Sequence, residues 1–110
     1  MQIKFIEDKI SIGLPDAQIE KIIEVFSKYQ EVESAIVFGS RAKGNYKYNS
    51  DIDIAIKGDV SLTLMNDISI ELDELDMPLK IDLIIFNNID NQELIEYVER
   101  VGMLLYNREK

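Results

Sequence analysis

The residues best suited to chemistry lie between Val37 and Ile56, VFGSRAKGNYKYNSDIDIAI, with one further acid downstream. An apolar run ends in Gly39-Ser40, ten residues pass, and Asp51 and Asp53 then appear one residue apart inside a second apolar run. Asp82 stands alone in LKIDLIIF, where a purely structural strand would carry another apolar residue. Successive strand side chains point to opposite faces, so Asp51 and Asp53 share one face while Ile52, Ile54 and Ile56 fill the other. Unpaired anions this close repel and drive at least one pKa upward unless a cation sits between them. With no Cys and no His in the chain, the available donors are hard oxygens, which select Mg²⁺ or Mn²⁺. Mg²⁺ takes one or two protein carboxylates and completes its shell with substrate phosphates and water. The expected substrate therefore carries phosphates. Gly39-Ser40 suits that demand, since Gly lets a ligand approach the backbone and Ser offers a hydroxyl and an N–H at the start of a helical turn. Arg41 and Lys43 add positive charge beside it.

Three strands must carry these groups, and the hydrophobic pattern supplies them. Ser34 to Phe38 is short and rich in β-formers; Asp51 to Ile56 and Lys80 to Phe86 are the strands that bear the acids. Helices separate them. Leu14-Pro15-Asp16 reads as a helix entry, followed by Ile19, Ile22, Ile23, Phe26 and Tyr29 at helical spacing. Arg41 to Gly44 reads as one helical turn and Asn45 to Ser50 as a polar loop. Ser61 to Leu75 forms a second amphipathic helix stopped by Met77-Pro78, and Asn91 to Val101 a last one ended by Gly102. Met103 to Tyr106 reads as a short fourth strand. The result is an α/β (α+β) arrangement, helices packed on a small mixed sheet, with residues 1–110 forming one domain.

Composition bounds what such a site can serve. A chain of 110 residues is long enough for one core, and too short for a catalytic domain plus a separate substrate-binding domain. The formal charge of −9 opposes a phosphate backbone, so direct nucleic-acid binding is not expected. The segment MQIKFIEDKI lacks the continuous apolar stretch of a signal peptide, and nowhere do about 18 apolar residues run together as a membrane span requires. A cytoplasmic location is expected. Twelve basic residues against the eighteen acids outside the site leave −6, an acidic outer surface suited to a basic partner protein.

A lone Asp-x-Asp, or a lone Gly-Ser after a strand, is ordinary. Gly39-Ser40, ten residues, Asp51-x-Asp53 and a third acid on a later strand together resemble the nucleotidyltransferase superfamily to which DNA polymerase beta belongs. Gly39-Ser40-Arg41-Ala42-Lys43-Gly44 followed by Ser50-Asp51-Ile52-Asp53 is similar, more specifically, to the minimal nucleotidyltransferases, the MNT or MntA antitoxins. The resemblance spans roughly residues 15 to 106. It implies a nucleotidyltransferase fold, two Mg²⁺ ions and ATP as donor. It makes Asp51, Asp53 and Asp82 both the catalytic residues and the metal ligands, Asp82 also acting on the attacking hydroxyl. Gly39 and Ser40 would grip the triphosphate, with Arg41 and Lys43 nearby. Where family members often carry Arg, this chain has Lys43, which keeps the charge but not a bidentate phosphate contact.

Three activities fit. The first is an adenylyltransferase that moves AMP from ATP to a hydroxyl of a partner, in this family typically a HEPN-domain ribonuclease toxin, which makes the present chain the antitoxin. The second is a binding antitoxin without catalysis. The third is a small-molecule nucleotidyltransferase of the antibiotic-modifying type, or a subunit of one. The intact acid set favours catalysis, and the missing acceptor-holding domain of the larger relatives counts against the third. An acceptor brought by a partner implies hetero-oligomeric contact, with homo-oligomers also compatible.

Overall fold

The computed structural model describes residues 4–5, 12–47, 49–77 and 79–108. Five strands form one mixed sheet in the order β1-β5-β2-β3-β4: β1 (Lys4–Phe5), β2 (Val32–Phe38), β3 (Ile52–Gly58), β4 (Ile81–Ile85) and β5 (Met103–Asn107). The helices are α1 (Asp16–Ser27), α2 (Ser40–Lys43), α3 (Leu62–Asp73) and α4 (Gln92–Val101), with a 3-10 turn at Phe86–Asn88. The small mixed sheet with packed helices is the expected architecture. Two-residue β1, which pairs parallel with β5, is too short to leave a periodic pattern. The expected helix stop at Met77-Pro78 falls partly on Pro78, which lies outside the described residues.

Local chemistry explains where the helices start. Ser61 Oγ accepts from Leu64 N at 3.1 Å and Asn91 Oδ1 from Leu94 N at 3.2 Å, so α3 and α4 each begin on a side-chain cap. Pro15 stands at the cap position of α1 and Asp16 in its first turn, where an acid meets the positive end of the dipole.

Alternation along the strands divides the sheet into two faces. Ile54 and Ile56 of β3 and Val37 of β2 point to the face covered by α1 and α3, where Ile22, Phe26, Ile68 and Leu72 complete the larger core. Ile36 and Ala55 point to the other face, under Val98 and Leu94 of α4, in a second and smaller core. On the larger core's face a polar clamp ties the end of α1 to α3: Tyr29 Oη donates to Glu71 at 2.6 Å, and Lys28 pairs with the same carboxylate.

The pairing pattern decides which strand ends meet. β2 runs antiparallel to β3, with Phe38 opposite Asp53, and β3 runs parallel to β4, with Asp53 opposite Asp82. The C-terminal end of β2 and the N-terminal ends of β3 and β4 therefore lie side by side. Ile54, which follows Asp53 and is fully buried, pairs with Val37 and Leu83 and packs β3 into the larger core. Ile54→Ala should cost about 2–5 kcal/mol of unfolding free energy, the usual range for a fully buried aliphatic truncation, measured by urea denaturation with an unchanged m-value.

Candidate active site

Asp53 is the centre of the arrangement. It lies half-buried on the α4 face of β3, with Phe38 opposite on one neighbouring strand and Asp82 on the other. Asp51, two residues earlier, is exposed just before β3 begins. Burial comes first, and the negative fields of Asp82 and Asp51 add to it, in holding the Asp53 carboxyl above the ordinary aspartate range. Asp82 is better solvated, with 42% of its side chain exposed, and its Oδ1 lies 3.6 Å from Lys80 Nζ. Lys80 precedes Asp82 by two residues on a strand path, so period-two spacing alone places its ammonium beside that acid.

Gly39 follows Phe38 and turns the chain away from the sheet with φ of 76°, a left-handed conformation that favours glycine. A Cβ at this position would overlap Asp53 Oδ2. The absence of a side chain thus does two things: it permits the turn, and it leaves the Asp53 carboxylate its space. Ser40 begins α2 immediately afterwards, and Lys43 N donates to Gly39 O at 3.0 Å to close that turn.

The two basic residues expected beside a phosphate are placed differently from each other. Lys43 is exposed, its Nζ 5.8 Å from the Tyr97 ring centroid on α4. Arg41 is turned inward and only 1% exposed, its guanidinium on the main-chain carbonyls of Ile12, Lys47 and Ser50. In this geometry Arg41 does not present its guanidinium to an incoming phosphate. The structure therefore brings together Gly39, Ser40, Asp51, Asp53 and Asp82, leaves Lys43 on the rim, and assigns Arg41 to the interior.

All-oxygen donors on two adjacent strands, one carboxyl already pushed upward by burial and by its acidic neighbours, fit a divalent cation. Among the described residues no three acids converge into a preformed metal cage.

The fold and the acid arrangement define a nucleotide-transferring enzyme. Residues 20–110 match the family model described as polymerase beta, nucleotidyltransferase, and the chain belongs to that family. It is 37% identical over 81 residues, 68% of this chain and 76% of the relative, to MJ0604 of Methanocaldococcus jannaschii, named as a protein adenylyltransferase. Among solved structures it is similar to a chain of a toxin–antitoxin pair with AMP-PNP, at TM-score 0.61 and 21% identity over 87% of this chain and 76% of that one. It also resembles a chain of the complex between tri-AMPylated Shewanella oneidensis HEPN toxin and MNT antitoxin, at TM-score 0.59 and 18% identity, covering 86% and 73% of the two chains. These likenesses establish the nucleotidyltransferase fold. No helix among the described residues is long and apolar enough to cross a membrane.

The raised Asp53 carboxyl has a measurable consequence for the metal-free protein. A carboxyl whose folded pKa exceeds its unfolded value, about 3.9, binds protons more tightly when folded. Its contribution to stability is full below that unfolded value and is lost as pH rises through the folded pKa. Asp53→Asn removes this loss. With chelator present, the variant should melt at or above the wild type, and the gap should widen from pH 4 toward neutrality. A variant that melts well below the wild type at pH 7 would make Asp53 a structural residue.

Proposed function

We propose that this chain is a Mg²⁺-dependent protein adenylyltransferase that moves AMP from ATP to a hydroxyl, in the first instance a tyrosine, of a HEPN-type ribonuclease toxin, and so acts as its antitoxin. The observation that carries the reading is the direct opposition of Asp53 and Asp82 on adjacent strands, with Gly39-Ser40 at the end of β2 beside them. The name of the M. jannaschii relative, the nucleotide analogue in one similar structure and the tri-AMPylated toxin in another support the choice of donor and acceptor. ATP as donor places the reaction in the cytoplasm.

Each residue then has a distinct task. Asp51 and Asp53 would hold Mg²⁺, which when bound supplies charge neutralisation for the triphosphate and the departing pyrophosphate. Gly39 and Ser40 would meet the triphosphate, Gly39 leaving the Asp53 carboxylate its space and Ser40 offering a hydroxyl. Lys43, exposed on the rim, adds a mobile positive charge. Asp82, the more solvated acid of the pair, receives the proton from the attacking hydroxyl. The new bond forms between that oxygen and the α-phosphorus, the bond from the α-phosphorus to the pyrophosphate oxygen breaks, and pyrophosphate leaves. A phenol suits this site because its pKa, about 10, makes its proton easier for a carboxylate to take than an alkyl alcohol's. The surplus of acids over bases across the chain would favour a basic, RNA-binding partner and help it to dock. An AMP group added near the RNA cleft would block it by charge and bulk.

The experiment is intact-mass analysis of the product of the adjacent gene, expected to be a HEPN-domain protein, after incubation with the chain, ATP and Mg²⁺. The mass should rise by one or more AMP units. Asp53→Asn should reduce this to background. Asp82→Asn should slow it about 10²–10⁴-fold, the usual worth of a general base, while retaining part of the Mg²⁺–ATP binding. If both variants neutralise the toxin as well as the wild type does, neutralisation is by binding alone. Labelling only of a small hydroxylated compound or of a nucleic-acid end would overturn the choice of acceptor.

A further inference from the structure

Arg41 is the charged side chain that the fold buries completely among the described residues. A guanidinium remains protonated throughout the accessible pH range, so its burial demands acceptors. Three are main-chain carbonyls from two separate parts of the chain. Nη1 donates to Ile12 O at 2.8 Å, Nε to Ser50 O at 3.2 Å and Nη2 to Lys47 O at 3.4 Å. The Tyr46 ring covers the guanidinium, 4.8 Å from Cζ to the ring centroid. Gly13 lies against both groups: its φ is +82°, and a Cβ there would come within 2.5 Å of Tyr46 Cε1 and 2.7 Å of Arg41 Nη1.

Two of those carbonyls are the ends of one turn. Ser50 N donates to Lys47 O at 3.0 Å and Lys47 N to Ser50 Oγ at 2.8 Å, so the turn is closed in both directions, and the Arg41 fork grips both of its ends. The Ser50 carbonyl belongs to the peptide group whose nitrogen is that of Asp51. The next peptide group is fixed as well, since Ile52 N donates to Lys80 O at 2.9 Å. Asp51 is exposed and outside the strand, yet the peptide planes on both sides of it are pinned. Fixing both flanking peptide planes restricts the directions in which the Asp51 side chain can leave the backbone.

We propose that Arg41 is a positioning residue that aims the Asp51 carboxylate at the metal–nucleotide complex, with Tyr46 and Gly13 as its supports, and that it does not bind the nucleotide phosphates itself. The inference rests on the reading above that Asp51 is a metal ligand. A positioning role and a phosphate-binding role change different quantities. Loss of positioning raises the Mg²⁺ concentration needed for nucleotide binding. Loss of a phosphate ligand lowers nucleotide affinity even at saturating Mg²⁺.

The test is a Mg²⁺ titration of AMP-PNP binding to the full chain, followed by calorimetry. Arg41→Lys keeps the charge but cannot reach all three carbonyls at once. Its Mg²⁺ midpoint should rise about 10–100-fold, the usual effect of losing a group that orients a metal ligand, with AMP-PNP affinity at saturating Mg²⁺ close to wild type. Tyr46→Leu, at a partly exposed position, should shift the midpoint in the same direction by less. In an Asp51→Asn background, Arg41→Lys should produce no further shift. An unchanged midpoint with a lowered melting temperature would make Arg41 purely structural, and an affinity loss that persists at saturating Mg²⁺ would make it a phosphate ligand. Should Arg41→Lys fail to fold, the Tyr46→Leu titration decides on the same criteria. Absence of any Mg²⁺-dependent binding by the wild type would instead remove the metal reading beneath the inference.

Discussion

Main-chain hydrogen bonding between β3 and β4 sets Asp53 directly against Asp82, and much of the surrounding structure answers to that one juxtaposition. Neighbouring strands lie about 4.7–4.9 Å apart, so two carboxylates at paired positions cannot separate without breaking the ladder. The fold relieves the conflict at its margins. Asp82 stays partly in water beside Lys80, Asp53 takes the burden as a raised pKa, and Gly39 gives up a side chain so that the Asp53 carboxylate has room. The repulsion left over is what a bound cation would relieve.

Much of this was legible in the sequence for identifiable reasons. Ser61 and Asn91 announced their helices because capping is a local side-chain chemistry. Asp82 stood out because an acid inside an apolar strand needs a cause. The opposition of Asp53 and Asp82 was not legible, because period-two alternation fixes the face of a side chain and leaves open which strand lies beside it. The same limit hid the second core: Ala55 shares the acid face and is buried under α4, whereas alternation alone assigned the apolar face to the three isoleucines. Arg41 shows a different limit. Its position after Gly-Ser suggested a phosphate, but its guanidinium donates to the carbonyls of Ile12, Lys47 and Ser50, and a main-chain carbonyl has no signature in the residue type that bears it.

A second arginine repeats the device at the opposite end of the sheet. Arg108 Nη2 donates to Ser27 O and Tyr29 O at 3.0 Å, and its Nε to Val32 O at 3.1 Å, across the end of α1 and the start of β2. The rigid planar fork suits both places, because several carbonyls must be held in fixed relation. In a chain this small, two such staples tie to the sheet segments that would otherwise rely on loop packing alone.

The chain directions at the site also decide where this protein can be altered. β2 leaves the acid end of the sheet while β3 and β4 enter it, so the segments 39–51 and 74–80 border the chemistry, whereas 28–31, 59–61 and 86–91 lie at the far rim. Surface connections absorb added length at little thermodynamic cost. Lengthening 74–80 would therefore build a new wall beside Asp82 without touching the ladder that holds it, whereas the same insertion at the far rim would leave the entrance unchanged. The architecture separates a hydrogen-bonded floor from an adjustable doorway, and what reaches the acids can change through the doorway alone.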